Sequence, residues 1–205
     1  MKTALVVAAV AIATLSAVPN RTQQPAAVRL VIDTVGTEVR YRVRERLVGN
    51  ELDNDAIGVT RKVSGQIALD AEGAVIPGES KITIDVSGLK SDQDRRDNFV
   101  RRRLLVTDSN PTVVFQPTAI KGGPRTIPTS GNATFTIVGN LTVKGITKPT
   151  TWTVNARYLP TAVLGSASTA FTFSDFSITQ PRVPILLSVA DTIRLEGDFN
   201  FAVKK

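Results

Sequence analysis

A mainly antiparallel, all-β barrel of about eight strands with one short helix is the fold this sequence predicts. Three observations lead there. Runs of β-branched and aromatic residues alternate with polar ones, which sets one row of side chains on each face of a sheet. The 11 Pro and 14 Gly are scattered along the chain, as many short strands joined by turns require. The last strand, 192–203, is long and regular, with Ile193, Leu195, Gly197, Phe199 and Phe201 alternating with Arg194, Glu196, Asp198 and Asn200. Left as an open edge it would template aggregation, and closure into a barrel removes the edge. Periodicity alone is equally met by a sandwich.

The elements follow in order. Val28–Ile32 is a short β-branched run after a Pro- and Gln-containing linker. Residues 38–44 alternate, with Val39, Tyr41 and Val43 on one face and Arg40, Arg42 and Arg44 on the other. A polar loop at 49–55 ends that strand. Strands at 59–69 and 81–86 come next, and in the second Ile82, Ile84 and Val86 share a face opposite Thr83 and Asp85. The pattern then becomes helical. Ser91 is the expected N-cap with Asp94 three residues on, and Asp92 with Arg96 and Asp97 with Arg101 stand four apart with the acid first. Phe99, Val100 and Leu104 give this helix a narrow apolar stripe. Strands resume at 112–115 and, past a Gly- and Pro-rich loop, at 133–138.

Leu141-Thr142-Val143-Lys144-Gly145-Ile146-Thr147-Lys148-Pro149 reads as a hairpin punctuated by Gly145 and Pro149. Its second strand places Trp152, Val154, Ala156 and Tyr158 opposite Thr151, Thr153, Asn155 and Arg157. A strand at 167–173 and a Pro-containing excursion through Pro181 and Pro184 lead to the last strand.

Residues 1–27 are expected to be a signal peptide and linker, leaving 28–205 as the barrel domain. Lys2 is a minimal positive region, 4–13 is unbroken apolar sequence, and Ala11-Ile12-Ala13 or Ala17 offers the small residues a signal peptidase reads. An uncleaved anchor is the other reading, but the apolar run is about fifteen residues against the ~20 a spanning helix needs. A periplasmic or secreted protein is expected. The chain has no Cys and no His, which removes disulfides, thiol nucleophiles, imidazole bases and most zinc sites. No phosphate-binding glycine motif is present. The acids Asp92, Asp94 and Asp97 are explained by capping and ion pairing, so the expectation is a non-enzyme with no catalytic residue, metal site or cofactor.

The net charge of +7 favours polyanions or serves solubility. Export disfavours nucleic acid as a partner, while transient contact with an anionic membrane surface and a homodimer are both compatible with the sequence. On the helical segment, Lys90, Arg95, Arg96, Arg101, Arg102 and Arg103 outnumber Asp92, Asp94 and Asp97. That cluster suits a phosphate or anionic lipid head, or is a solvated face. Two Asn-x-Thr sequons, at Asn132 and Asn140, fall on expected strands and are not read as glycosylation sites. The large inward side chains, Tyr41, Phe135, Trp152, Phe171, Phe173, Phe199 and Phe201, either fill a solid core or line a cavity for one ligand. A cavity among Tyr41, Ile84, Phe135 and Trp152 would distinguish the two.

The hairpin at 141–149 resembles the signature of YceI-like polyisoprenoid-binding proteins, a family of lipocalin-like barrels that carry isoprenoid lipids in the bacterial periplasm. The resemblance runs from about Leu30 to Phe201. Leu30-Val31-Ile32-Asp33 is similar to the family's opening strand. Ile84-Asp85-Val86 with Ser91, Asp92, Arg96 and Asp97 is similar to its pattern before the helix. Asn110-Pro111 with Phe115, Ser174-Asp175-Phe176-Ser177, and Ser188, Asp191 and Ile193 resemble later segments. Three departures replace polar residues by apolar ones: Phe99 stands where a His is common, Leu104-Leu105-Val106 replaces Phe-Phe-Asp, and Phe173 takes the place of an Arg.

The resemblance implies an amphipathic isoprenoid lipid, of polyprenyl phosphate or quinone type, inside an apolar barrel. For its tail the expected contacts are Tyr41, Val43, Ile82, Ile84 and Phe135, together with Ile137, Trp152, Val154, Phe171 and Phe173. For its head they are Arg96, Asp97 and Arg101. The competing expectation is an extracytoplasmic stress or interaction protein with a filled core, acting through its basic surface.

Overall fold

The computed structural model describes residues 28–204. The expected leader and linker, residues 1–27, lie outside the described residues.

Ten strands form one antiparallel sheet: β1 Val28–Ile32, β2 Glu38–Leu47, β3 Asn54–Thr60, β4 Val63–Leu69, β5 Lys81–Asp85, β6 Thr112–Lys121, β7 Gly131–Val143, β8 Ile146–Tyr158, β9 Ala162–Thr172 and β10 Leu186–Lys204. They run in the order β1-β4-β5-β6-β7-β8-β9-β10-β2-β3, and β1 also pairs with β10, which closes the ring. The result is a closed, eight-stranded antiparallel barrel. The ten strands reduce to eight because two staves are each interrupted once. β1 and β2 lie end to end along the same edge of β10, through Ile32 opposite Phe201 and Glu38 opposite Asp198. The break between them is sutured: the Thr37 hydroxyl donates to the Asp33 carbonyl at 2.6 Å, and the Asn200 amide donates to the Thr37 hydroxyl at 3.1 Å. β3 and β4 form the neighbouring stave, interrupted at Arg61 and Lys62.

The expected strand at 59–69 is therefore two strands, and the first begins at Asn54, inside the stretch read as loop. Its parity explains the miss, since Asn54, Asp55 and Gly58 are poor strand formers that are held here by pairing with β2. The hairpin between β7 and β8 turns on Lys144 and Gly145, both with positive φ (52° and 76°), which suits the right-handed twist of the flanking strands. Pro149 lies within β8, opposite Asn140, rather than ending it. Both sequons sit in β7.

The barrel does not close equally along its length. β4 pairs with β5 through Val63–Gln66 against Ile84–Lys81, whereas β3 meets the chain beyond β5 in an isolated bridge between Val59 and Lys90. The helical segment covers the end where these staves part. It is an α-helix, α1 Asp94–Phe99, that widens into π-helical turns over Val100–Leu105 and stops at Val106, in a left-handed conformation. Ser91 is not its N-cap. That position is Gln93, with no side-chain bond to the helix. Instead the Asp97 carboxylate, buried, reaches back and accepts the Ser91 amide at 2.7 Å and the Ser91 hydroxyl at 2.6 Å. The tether therefore runs in the reverse sense to the expected cap. The two expected ion pairs also divide. Arg96 meets Asp92, whereas Arg101 donates to the main-chain carbonyl of Asp97 at 3.3 Å and to the Asn98 side chain at 3.2 Å.

Outside the wall, the Arg face of β2 is matched residue for residue by acids. Arg40 meets Glu196 and Asp198, Arg42 meets Glu196 and Asp55, and Arg44 meets Asp55. These contacts pin β2 between β10 and β3. The hydrogen bonds from Arg42 and Arg40 hold the Glu196 carboxyl below its ordinary range.

Candidate functional site

The space inside the barrel is divided in two. Under the helical segment lies a cavity of about 680 Å³, and towards the other end lies one of about 130 Å³. The walls of both are the inward-facing rows of the strands, so the division arises from which side chains those rows carry.

In the smaller chamber the rows carry rings. Phe115 of β6 tilts against Trp152 of β8 with centroids 5.4 Å apart, and Phe135, Ile137, Val154 and Tyr158 fill the surrounding space. Gly139 makes the Phe115 position available: a Cβ there would come within 2.7 Å of that ring. The Trp152 indole donates to the Thr150 hydroxyl at 3.1 Å, which satisfies its one polar atom.

The larger chamber is lined by aliphatic residues and a few rings set around its edge. Tyr41 and Val43 come from β2, Val113 from β6, and Ile193 and Leu195 from β10. Phe99, Val100, Leu104 and Leu105 form its roof. Gly58 gives Tyr41 its place, since a Cβ at that position would stand 2.2 Å from the ring. Burial pushes the Tyr41 phenol up to about 12, so it stays a neutral hydrogen-bonding group. Phe171 and Phe173 enter from the end of β9. Their positions are set by the turn Phe173–Phe176, where the Asp175 carboxylate accepts the Thr172 amide at 2.7 Å and hydroxyl at 2.9 Å. Phe176 is fully buried and meets Phe171 edge to face at 4.7 Å.

An ion pair stands in this lining beside the polar residues Arg40, Thr60, Gln93 and Arg95. Arg96 of α1 donates to Glu45 of β2 at 2.6 Å, with side chains 16% and 7% exposed, and pairs with Asp92 on its other side. Burial works against the guanidinium charge, but the two carboxylates outweigh it and the Arg96 pKa is raised. Glu45 also accepts from the Asn54 side chain at 3.3 Å. The pair bolts the roof to the wall.

The chamber reaches the surface between the helical segment and the chain leading into β10, where Arg95, Pro184 and Ile185 are exposed lining residues. At this mouth Ile185 is 58% exposed and Val48, bonded to it, 55%; Leu52 in the loop after β2 and Leu187 in β10 are exposed as well, 80% and 61%. The Val48 amide donates to the Ile185 carbonyl at 2.9 Å, joining the two loops that carry them.

The expected tail contacts are thus not gathered in one place. Tyr41, Val43, Phe171 and Phe173 line the larger chamber, Ile82, Phe135, Ile137, Trp152 and Val154 line the smaller, and Ile84 lines both. Of the expected head contacts, Arg96 alone borders the larger chamber. Asp97 is spent on Ser91 and on Lys90, 3.2 Å away; burial raises its pKa, but those bonds prevail and hold it below the ordinary carboxyl range. Arg101 is spent on the helix itself.

Sequence reasoning missed Glu45 as a site residue although its signal was present. The parity that turns Val39, Tyr41 and Val43 inward turns Glu45 inward too. It also missed Ile178, Val183, Leu186 and Val189, which lie where Pro residues and strand irregularity hide any period.

Comparison with known proteins agrees with this architecture. The model of the YceI-like domain family matches residues 30–201. A polyisoprenoid binding domain from Saccharophagus degradans, implicated in plant cell wall breakdown, superposes with a TM-score of 0.62 at 10% identity, covering 86% of this chain and 98% of that one. BcnA of Burkholderia cenocepacia superposes with a TM-score of 0.59 at 19% identity, covering 85% of this chain and 99% of its own. At these identities the two structures speak for the fold. No curated protein matches the chain.

Proposed function

This chain belongs to the family of YceI-like domains, and from that premise we propose that it binds an amphipathic isoprenoid lipid in the larger chamber, for carriage or storage outside the cytoplasm. One observation carries the reading: an apolar chamber of about 680 Å³ opens beneath a helical roof inside the barrel. Each buried CH₂ contributes roughly 0.8 kcal/mol, so a branched hydrocarbon tail is held by area and needs no polar recognition.

Of the cations that line the chamber, Arg95 is exposed at the mouth, while Arg96 is the one enclosed beneath the roof. That guanidinium is already flanked by Glu45 and Asp92, so a dianionic phosphate would meet two carboxylates as well as one cation. A neutral head that accepts a hydrogen bond, as a quinone does, fits this electrostatic balance better than a polyprenyl phosphate. The apolar residues Phe99, Leu104, Leu105 and Phe173 in the lining argue the same way.

Loading is proposed to occur at a membrane. Val48 and Ile185 give the mouth an exposed apolar edge, and Arg95, Arg102, Arg103 and Arg182, exposed and without a carboxylate partner among the described residues, supply positive charge for an anionic surface. The expected periplasmic or secreted location is kept as part of this proposal, as is the absence of a catalytic role.

Organic extraction of purified protein, followed by mass spectrometry, tests it. A stoichiometric isoprenoid species supports the carrier. An extract that stays empty after candidate lipids are offered in vesicles overturns it, and leaves a protein that acts through its basic surface.

A further inference from the structure

The two chambers share two lining residues and no others: Val39 of β2 and Ile84 of β5. Ile84 is 5% exposed, pairs with Val63 on one side and with Val113 on the other, and so stands at the level where the interrupted staves meet the continuous ones. Val39 faces Thr60 and Gly197 across its own ladder. Above this waist the inward rows are largely aliphatic, and below it they carry Phe115, Phe135 and Trp152.

We propose that Val39 and Ile84 form a floor that limits the length of hydrocarbon the protein can bury. This inference rests on the carrier reading and adds a ceiling to it. Taking the roughly 30 Å³ that a water molecule occupies in the liquid as the measure of one non-hydrogen atom, the upper chamber of about 680 Å³ holds some 20 atoms, the size of a chain of four isoprene units. A longer chain leaves its remainder outside the mouth, because the lower chamber of about 130 Å³ lies beyond the floor. Trimming Ile84 to Ala removes three carbons from that floor and joins the chambers, which adds room for about one more isoprene unit by the same measure.

The chain carries its own reporter. Its single tryptophan, Trp152, lines the lower chamber and is absent from the lining of the upper one. A ligand held above the floor leaves its emission unchanged, and a tail that passes the floor displaces its surroundings.

The experiment titrates all-trans prenyl alcohols of two to eight isoprene units into the protein and into its Ile84→Ala and Ile84→Val variants, following both affinity and Trp152 emission. In the unaltered protein, affinity rises roughly tenfold or more with each unit up to about four units and then levels, with Trp152 emission constant throughout. Ile84→Ala moves the plateau up by about one unit and makes Trp152 emission respond to the longer alcohols. Ile84→Val, the gentler change, retains the fold and gives a smaller response in the same direction.

Affinity that keeps rising beyond about six units in the unaltered protein overturns the floor, as does a Trp152 response there. A plateau that both variants leave in place overturns it as well. Failure of every alcohol to bind the unaltered protein overturns the carrier reading itself, which separates the two outcomes.

Discussion

The two ends of the barrel are built from the same alternating strands, yet one is nearly filled, with about 130 Å³ left, and the other holds about 680 Å³. At the filled end, every stave is paired on both sides and Phe115, Phe135 and Trp152 project into the centre. At the hollow end, β3 parts from β5, and the gap is roofed by a short helical segment whose contribution to the interior is Phe99, Val100, Leu104 and Leu105. Even the glycines match: Gly139 admits the Phe115 ring at one end and Gly58 admits the Tyr41 ring at the other. The lesson is that a closed ladder sets the circumference, while the occupancy of the interior depends on side-chain volume and on what covers the end.

Substitutions at the two ends should therefore differ in kind. The largest loss is expected at the nearly filled end, where Phe115→Ala should cost about 3–5 kcal/mol in urea unfolding, because the ring is buried and its removal enlarges the void beside it. Leaving one partner of the ion pair that bolts the roof in place comes next. Glu45→Ala leaves the Arg96 guanidinium with Asp92 as its one carboxylate partner and should cost about 1.5–3 kcal/mol, while Glu45→Gln should recover part of it. If Glu45→Ala is silent in unfolding, the roof is not held by that pair and the contrast between the ends needs another cause.

Gly58→Ala sharpens the comparison. The new Cβ must move the Tyr41 ring, so stability should fall by about 1–3 kcal/mol and lipid capacity should fall with it. Leu104→Ala is the smallest expected effect on folding, about 1 kcal/mol, since this residue already faces open space on one side. Equal losses for Leu104→Ala and Phe115→Ala would break the distinction between a hollow and a filled end.

Acid offers a test specific to the roof. The Asp97 carboxyl titrates lower in the fold than in the unfolded chain, because the bonds from Ser91 and Lys90 outweigh its burial. Its stabilising contribution is thus complete above the unfolded carboxyl value of roughly 3.9 and disappears as pH falls through the lower folded value. Asp97→Asn should flatten the stability profile across that window, as read by unfolding at a series of pH values.

Much of this molecule could be read from its residues. Trp152, Val154, Ala156 and Tyr158 announced the inner row of β8, and Gly145 announced the turn before it, since both signals are local and repeat with the strand period. The Arg face of β2 was legible for the same reason. The start of β3 was not, because Asn54, Asp55 and Gly58 join the sheet through partners on β2 and not through their own preference. The helix was found, but Ser91 and Asp97 exchanged the expected roles, a choice made by the burial of Asp97 under the fold.

What the sequence determined by itself is the alternation of inward and outward residues along the strands, the hairpin between β7 and β8, and the family. These rest on neighbours a few positions apart. Whether the barrel is hollow was decided only by the tertiary structure. A cavity is the difference between the space a ring of strands encloses and the volume that all of its inner rows supply together, and no single row contains that difference. The Arg96–Glu45 bolt belongs to the same class: its partners lie 51 residues apart, and only the folded ring brings a half-buried cation within 2.6 Å of a buried acid.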